Sequence, residues 1–107
     1  EPGVMDEIDR PVEVLGLRGI KLGPNYQNFD PKSDSAFAVY DRAQALSLPI
    51  VSHQGTSPYA NSPLRYAHPL VMDEIAAAYP QLRVVMAHMA HPWHVDCITV
   101  IRKHPNI

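Results

Sequence analysis

The chain comprises 107 residues, of which 46% are hydrophobic and 19% charged, and its formal net charge is -2 at pH 7. That length and composition suit one modest packed domain and exclude a disordered or fibrous chain. The mild negative charge offers no long-range attraction to phosphate backbones or anionic lipids, so we expect no nucleic-acid partner and no membrane partner.

The cysteine content and the two ends of the chain bear on its compartment and completeness. Cys97 is the single cysteine, which excludes a disulfide within these residues and fits a reducing compartment. We therefore expect a cytoplasmic protein in which Cys97 packs as a small hydrophobic residue. Residues 1–3 show no signal-peptide pattern, and residues 105–107 read as a turn leading into a strand. We accordingly expect a fragment of a longer chain.

The first elements are a helix and a strand. Apolar residues over 4–15 recur at helical spacing, but Pro11 lacks the N–H that a helix interior needs, so the pattern predicts a broken or late-starting helix. Residues 17–22 then read as a strand. A cluster of turn-forming residues at its end predicts a loop over 23–31.

The next unit pairs a helix with a strand that ends on a histidine. Ser33 or Asp34 can cap a helix whose apolar residues recur at three and four positions, and Pro49 ends it. A short apolar strand follows at once and ends at His53.

A third unit repeats this pattern after a long polar loop over 54–65. A helix is predicted from about Pro69, and the apolar run that follows it ends at His88. A last helix is predicted from residue 91 to about residue 102. Three strand–helix units therefore emerge, with no hairpin signal between the strands.

Strands separated by helices should be parallel, which leaves a doubly wound sheet or part of a (β/α)8 barrel. In both architectures ligands and catalytic groups lie at the carboxyl ends of the strands. His53 and His88 occupy two such ends. Imidazole serves both as a ligand for zinc-like ions and as a general acid or base, so either position suits either task.

Several segments in a fixed order make the chain resemble the amidohydrolase-2 family. The resemblance covers nearly the whole chain, and its order and spacing are more specific than any one string. The segments are 19–22, 48–55, 64–70, 79–88, Pro92 with Trp93, and 103–107.

This resemblance implies a metal-dependent TIM barrel, a (β/α)8 fold, in the group that includes aminocarboxymuconate-semialdehyde decarboxylase, the resorcylate decarboxylases, and lactone and amide hydrolases. Residues 1–107 would be the central part of a single barrel domain, holding about strands four to six, their helices and the start of strand seven. The implied reaction is hydrolysis or nonoxidative decarboxylation of a small carboxylated, cyclic or aromatic molecule. We also expect the full-length protein to be a homo-oligomer.

The family pattern assigns roles to both histidines. His53 matches the metal ligand that closes strand five, and His88 matches the proton-transfer histidine that closes strand six. The implied cofactor is one divalent ion, zinc or alternatively manganese. The family's other ligands, a His-x-His pair on strand one and an aspartate on strand eight, lie outside these residues.

Three further residues are candidates for substrate binding. Arg65 could bind an anionic group through its guanidinium fork, although a solvated arginine is equally in keeping with its position. His91 could contact substrate, and Trp93 could provide a stacking surface or simply a packing anchor. Lys21 lies on the strand that corresponds to the one carrying a bridging lysine in binuclear amidohydrolases. This family, however, is generally mononuclear.

A different class of function is compatible with the same patterns. In a non-enzymatic α/β binding or scaffold domain, these histidines would end the strands without binding a metal. His68 and His104 precede prolines at helix edges and are expected to be structural.

Overall fold

The computed structural model describes residues 3–107, without the side chain of residue 4. Each of its three strands is followed by a helix, and a further helix precedes the first strand. A short turn of 3-10 type, Leu64–Tyr66, lies in the long polar loop. The elements are α1 (Val4–Glu13), β1 (Ile20–Leu22), α2 (Asp34–Ala45), β2 (Ile50–His53), α3 (Val71–Ala78), β3 (Val84–Ala87) and α4 (His94–Lys103).

The strands form one parallel sheet in the order β1, β2, β3. Ile20 pairs with Ile50, and Ile50 with Val84, so the three strands begin in register. Parallel neighbours require a crossover connection, and α2 and α3 supply it. The predicted parallel α/β arrangement is confirmed.

The register continues past β3. The first residue of each strand donates its backbone N–H to the carbonyl oxygen of the residue just before the next strand. Ile107 therefore occupies the position of a strand's first residue beside β3, as the sequence predicts for the start of a further strand. The three bonds run from Ile20 to Pro49 (3.0 Å), from Ile50 to Arg83 (2.9 Å) and from Val84 to Asn106 (2.9 Å).

The two faces of the sheet differ in how they are covered. On one face, the strand side chains pack with those of the helices in a single hydrophobic core. On the other face, Lys21 is exposed and Val85 is 53% exposed. Parallel strands are covered on both faces in α/β proteins, and in a barrel the second face is the interior. The core residues contributed by β2 and β3 are Ile50, Val84 and Met86.

Asn106 stabilises the junction between α3, β3 and the chain that follows α4. Its side-chain Nδ2 donates to the carbonyl oxygens of Ala76, Tyr79 and Leu82 at 3.3, 3.1 and 3.0 Å. The carbonyls at the end of a helix have no partner within it, so one carboxamide here satisfies groups that would otherwise be unpaired.

The prediction of a helix broken at Pro11 is wrong, because α1 runs through that residue to Glu13. Pro11 lies in the last turn, so the helix forgoes one N–H bond close to its natural end. The strand β1 also begins later than predicted. The backbone N–H of Leu17 bonds back to the carbonyl of Pro11 at 3.0 Å, which keeps residues 14–17 in the helix terminus.

The other boundaries differ little from prediction. Of the two proposed caps, Ser33 is the one used, since its hydroxyl accepts from the N–H of Ala36 at 3.2 Å. Helix α3 begins at Val71 and α4 at His94, each two or three residues later than predicted. Within residues 3–107, no helix is long and apolar enough to cross a bilayer.

Candidate active site

His53 and His88 meet at the carboxyl edge of the sheet. His53 is the last residue of β2, and His88 follows the last residue of β3, Ala87, which pairs with His53. The centres of the two imidazole rings are 5.0 Å apart. Parallel strands in register bring their carboxyl ends to one edge, so the pairing of β2 with β3 is what places these rings together.

His53 lies in a setting that favours a neutral, unprotonated imidazole. Its side chain is 4% exposed, and within the described part of the chain its buried Nε2 has no hydrogen-bond partner. Burial lowers the pKa of His53, and the neighbouring His88 and Lys21 lower it further. Contacts with the backbone of Gly55 and Thr56 partly oppose this shift in pKa. A neutral imidazole with a free nitrogen is the form that binds a metal ion.

The turn that carries His88 is strained. The φ angles of His88, Met89 and Ala90 are 64°, 49° and 54°. These values lie in the left-handed region, which residues other than glycine rarely adopt. Two backbone hydrogen bonds close the turn, from His91 to His88 (3.1 Å) and from Trp93 to Ala90 (2.8 Å). Runs of such residues persist only where the surrounding structure imposes them, and they cluster at functional sites.

Gly55 packs closely against this turn. It has a φ of 97°, and a Cβ at this position would lie 2.8 Å from the carbonyl carbon of Ala90 and 2.9 Å from the backbone nitrogen of His91. The N–H of Thr56 donates to the carbonyl of His91 at 2.7 Å. The loop after β2 is therefore packed directly on the turn after β3, and only glycine permits that approach.

An aromatic side chain that sequence reasoning missed completes one side of the histidine pair. The ring of Tyr26 lies 4.5 Å from that of His53, tilted by 60°, and Tyr59 lies 6.0 Å beyond Tyr26. Tyr26 belongs to the turn after β1, where Gly23 and Gln27 exchange hydrogen bonds at 2.8 and 2.9 Å. The sequence signal was its place just after a predicted strand, at the edge where both histidines were expected.

Asn25 and Gln54 were also missed. Both side chains are buried. Among residues 3–107, Oδ1 and Nδ2 of Asn25 have no hydrogen-bond partner, and Oε1 of Gln54 has none either. Gln54 Nε2 does donate to the hydroxyl of Ser52 at 3.0 Å. Asn25 follows β1 and Gln54 follows β2, so these unpaired groups lie at the same edge as the histidines.

The three residues predicted to bind substrate lie on loops and turns after β2 and β3. Arg65 is exposed, and its described partner is Tyr66, whose hydroxyl accepts at 3.1 Å and whose ring lies 4.4 Å below the guanidinium carbon. His91 is exposed, with its Nδ1 at 3.3 Å from Nε2 of His94. Trp93 is half-buried before α4. The roles of Arg65, His91 and Trp93 in substrate binding therefore stay predictions.

Two other histidines have structural surroundings. His68 lies 4.8 Å from the ring of Trp93 and 3.2 Å from a carboxylate oxygen of Asp96. His104 is buried and bonds to Asp73 at 2.6 Å. Both imidazoles are therefore occupied by neighbours, in contrast to the free Nε2 of His53.

A complete metal centre is not contained in the described part of the chain. Within residues 3–107, no group of three or more His, Cys, Asp or Glu side chains is arranged to hold a metal ion. The buried, unpaired Nε2 of His53 nevertheless fits one ligand position, because imidazole is a preferred ligand for zinc and related ions. The donor set present here fits part of a metal site.

A family model for the amidohydrolases, Amidohydro_2, matches residues 1–107. The chain belongs to the amidohydrolase family. A search of curated proteins finds no match for this amidohydrolase. Membership supports a superfamily of metal-dependent, hydrolase-type enzymes.

Among solved structures, this amidohydrolase chain is similar to the crystal structure of an uncharacterized TIM-barrel protein from Bordetella bronchiseptica. The TM-score is 0.81 at 23% sequence identity, and the match covers 95% of this chain and 36% of the other. The fold is therefore that of part of a TIM barrel. The chain spans about a third of that neighbour's length. The doubly wound alternative is excluded.

Proposed function

We propose that this chain carries part of the active site of a metal-dependent hydrolase or nonoxidative decarboxylase. The substrate would be a small carboxylated, cyclic or aromatic molecule. The observation that supports this most is the pair formed by His53 and His88, whose rings lie 5.0 Å apart at the carboxyl edge of the sheet. The carboxyl edge of the strands is where TIM-barrel enzymes bind and transform their substrates.

His53 would be a metal ligand through Nε2. That atom is buried and has no partner among the described residues, which is costly unless some group outside them binds it. The lowered pKa of His53 keeps the imidazole neutral at pH 7 and its lone pair available. The further ligands, two histidines and an aspartate by family resemblance, would come from outside these residues.

A divalent ion, zinc or alternatively manganese, would activate a water by lowering its pKa from 15.7 towards about 7, or would hold the carboxylate of a substrate to be decarboxylated. Tyr26 would fix the ring of His53 from one side, since the two rings lie 4.5 Å apart. Gly55 would hold the turn of His88 against the loop after β2.

His88 would transfer the proton. In hydrolysis its imidazole would accept the proton of the attacking water and return it to the leaving group. In decarboxylation it would deliver a proton to the carbon atom that loses CO2. His88 is exposed beside the buried ring of His53, so a substrate can reach the imidazole of His88.

Arg65, His91 and Trp93 would contact the substrate. The guanidinium of Arg65 is exposed and suits a carboxylate, which it can bind through two parallel hydrogen bonds. Its stacking on Tyr66 limits its freedom and would reduce the cost of ordering it. We further propose that the protein is a cytoplasmic homo-oligomer whose partner is a small molecule.

The two histidines can be separated by experiment in the natural protein. His53→Ala should remove both the metal and turnover, whereas His88→Asn should retain the metal and reduce turnover by about 10²–10⁴-fold. Metal would be measured by elemental analysis after dialysis, and His68→Asn serves as a control for loss of a histidine. A His53→Ala protein with full metal content would refute the ligand role, and unchanged turnover in His88→Asn would refute the proton-transfer role.

A further inference from the structure

His91 and His94 form a second pair of histidines, which joins the turn after β3 to the start of α4. Nδ1 of His91 lies 3.3 Å from Nε2 of His94, and the centres of the two rings are 5.0 Å apart. Both side chains are exposed. This pair differs from His68 and His104, whose imidazoles each contact a carboxylate.

The separation of the two nitrogens is the one that a shared metal ion requires. Two imidazole ligands of a tetrahedral zinc ion, each about 2.0–2.1 Å from the metal, have their nitrogens about 3.3 Å apart. The present contact between the nitrogens is a hydrogen bond through one proton. A divalent ion can take the place of that proton once the two lone pairs turn toward one point, since neutral imidazole is the form that binds a metal.

The surroundings of the pair suit an ion with two protein ligands. Within residues 3–107, no third His, Cys, Asp or Glu side chain joins the pair to complete a metal site. Water would fill the remaining positions, because both rings are exposed. Asp96, which also contacts His68, brings a negative charge into the first turn of α4. That charge opposes the unfavourable effect of the helix dipole on a cation at this end.

An ion bound by both rings would connect the strained turn to the helix that follows it. The N–H of His91 donates to the carbonyl of His88 at 3.1 Å and so closes the turn, and His94 is the first residue of α4. Residues 88–90 all have positive φ, a conformation that persists only when its surroundings hold it. Chelation by His91 and His94 would therefore oppose opening of the turn that carries His88.

We propose that His91 and His94 together bind a second divalent ion of the zinc, nickel or copper class, which stabilises the turn of His88. These ions favour imidazole ligands, whereas manganese and magnesium favour oxygen ligands. The site is independent of the proposed function, since it needs neither His53 nor a substrate. The ion would occupy Nδ1 of His91, so Nε2 on the other side of that ring stays available for contact with a substrate.

Zinc binding at a fixed free concentration tests the proposal. With two protein ligands the second ion should bind more weakly than the catalytic one and be lost on dialysis against metal-free buffer. We therefore titrate the natural, zinc-loaded protein with further Zn²⁺ by calorimetry. Wild type should bind one additional ion, and His94→Ala should bind it at least about tenfold more weakly, because two linked ligands bind far more tightly than one.

Two variants show which histidines hold the additional ion. His68→Asn is the control for loss of a histidine beside α4 and should bind the additional zinc as wild type does. His53→Ala should lose the tightly bound ion but keep the weaker one. Equal binding of the additional ion by wild type and His94→Ala, or its absence from wild type, would overturn the proposal. Retention of the tight ion by His53→Ala would refute the proposed function alone.

Thermal melts test the effect on the fold. An ion that binds only the folded chain raises its melting temperature, so Zn²⁺ should stabilise His53→Ala and should no longer do so in the double variant His53→Ala/His94→Ala. Mn²⁺ at the same concentration should give a much smaller rise. If His53→Ala does not fold, zinc-loaded wild type and His94→Ala are compared instead. A rise with Zn²⁺ that survives the loss of His94 would locate the ion elsewhere and contradict the proposal.

Discussion

The chain places one buried histidine and one buried or partly buried asparagine at each edge of its sheet, and the two pairs differ in how they are bonded. Near the amino edge, His104 bonds to Asp73, and Asn106 donates to three carbonyls. At the carboxyl edge, Nε2 of His53 and both polar atoms of Asn25 have no partner among the described residues. The same residue types are therefore hydrogen-bonded within the fold at one edge and buried without a described partner at the other.

Backbone conformation follows the same division. The left-handed residues 88–90 and the close approach at Gly55 lie at the carboxyl edge. At the amino edge, by contrast, the backbone N–H groups of successive strands repeat one regular hydrogen-bonding pattern. A TIM barrel commonly places its chemistry at the carboxyl ends of the strands and its stabilising contacts at the other end. The difference between the two edges thus supports the assignment of the site.

The largest expected effect comes from adding a side chain where the loop after β2 packs on the turn after β3. Gly55→Ala would place a Cβ against the backbone of Ala90 and His91 at a φ of 97°, so we expect a loss of roughly 2 kcal/mol or more in unfolding free energy. Turnover should fall as well, because the turn of His88 would be displaced. Denaturant unfolding and activity assays measure the two effects.

Gly16→Ala is the matched control for Gly55→Ala. Gly16 has a φ of 70°, but nothing lies within 4 Å of a Cβ at that position. It should therefore show only the backbone strain of about 1–2 kcal/mol and no loss of turnover. Equal effects of the two substitutions would show that the packing of Gly55 on the turn after β3 has no role in the site.

A smaller effect is expected from removing the ring beside His53. Tyr26→Leu should weaken metal binding about tenfold, because groups that orient a ligand typically contribute 10–100-fold in metal affinity. Competition with a chelator measures this affinity. Tyr59→Leu is the control, since Tyr59 packs on Tyr26 rather than on His53 and its loss should change affinity by less than about twofold. Equal affinities for wild type and Tyr26→Leu would contradict the positioning role.

The smallest effect concerns pH and the amino edge. Hydrogen bonds from Lys103, and next from His104, hold the pKa of Asp73 below its usual value. A carboxylate with a lowered folded-state pKa stabilises the protein above its unfolded pKa of about 3.9, and that contribution disappears as pH falls through the folded value. Wild type should therefore lose stability on acidification below about pH 4 more steeply than Asp73→Asn. Identical profiles in thermal melts at pH 2–7 would contradict this account.

Local patterns were sufficient to predict much of the fold. The apolar runs ending near His53 and His88 are short and β-branched, and the helices have caps or prolines at their ends, so strand and helix order could be predicted from neighbouring residues alone. The continuation of α1 through Pro11 could not be predicted in this way. The free-energy cost of a proline in a helix depends on how close the proline lies to the end of that helix.

The candidate site was predicted only where it coincides with a strand end. His53 and His88 lie at such ends, whereas Tyr26 and Asn25 lie in a turn whose residues have no periodicity that reveals where their side chains point. The left-handed conformation of residues 88–90 also escaped prediction. This turn packs against Gly55, more than 30 residues earlier in the sequence, and no local pattern encodes that contact.

The most direct test of the account is the location of the metal in crystals of the natural protein, found from its anomalous scattering. We expect a peak within about 2.0–2.1 Å of Nε2 of His53, with His88 nearby and outside the ligand set. A metal bound elsewhere, for example between His91 and His94, with Nε2 of His53 free of it, would contradict the assignment of the carboxyl edge as the catalytic centre.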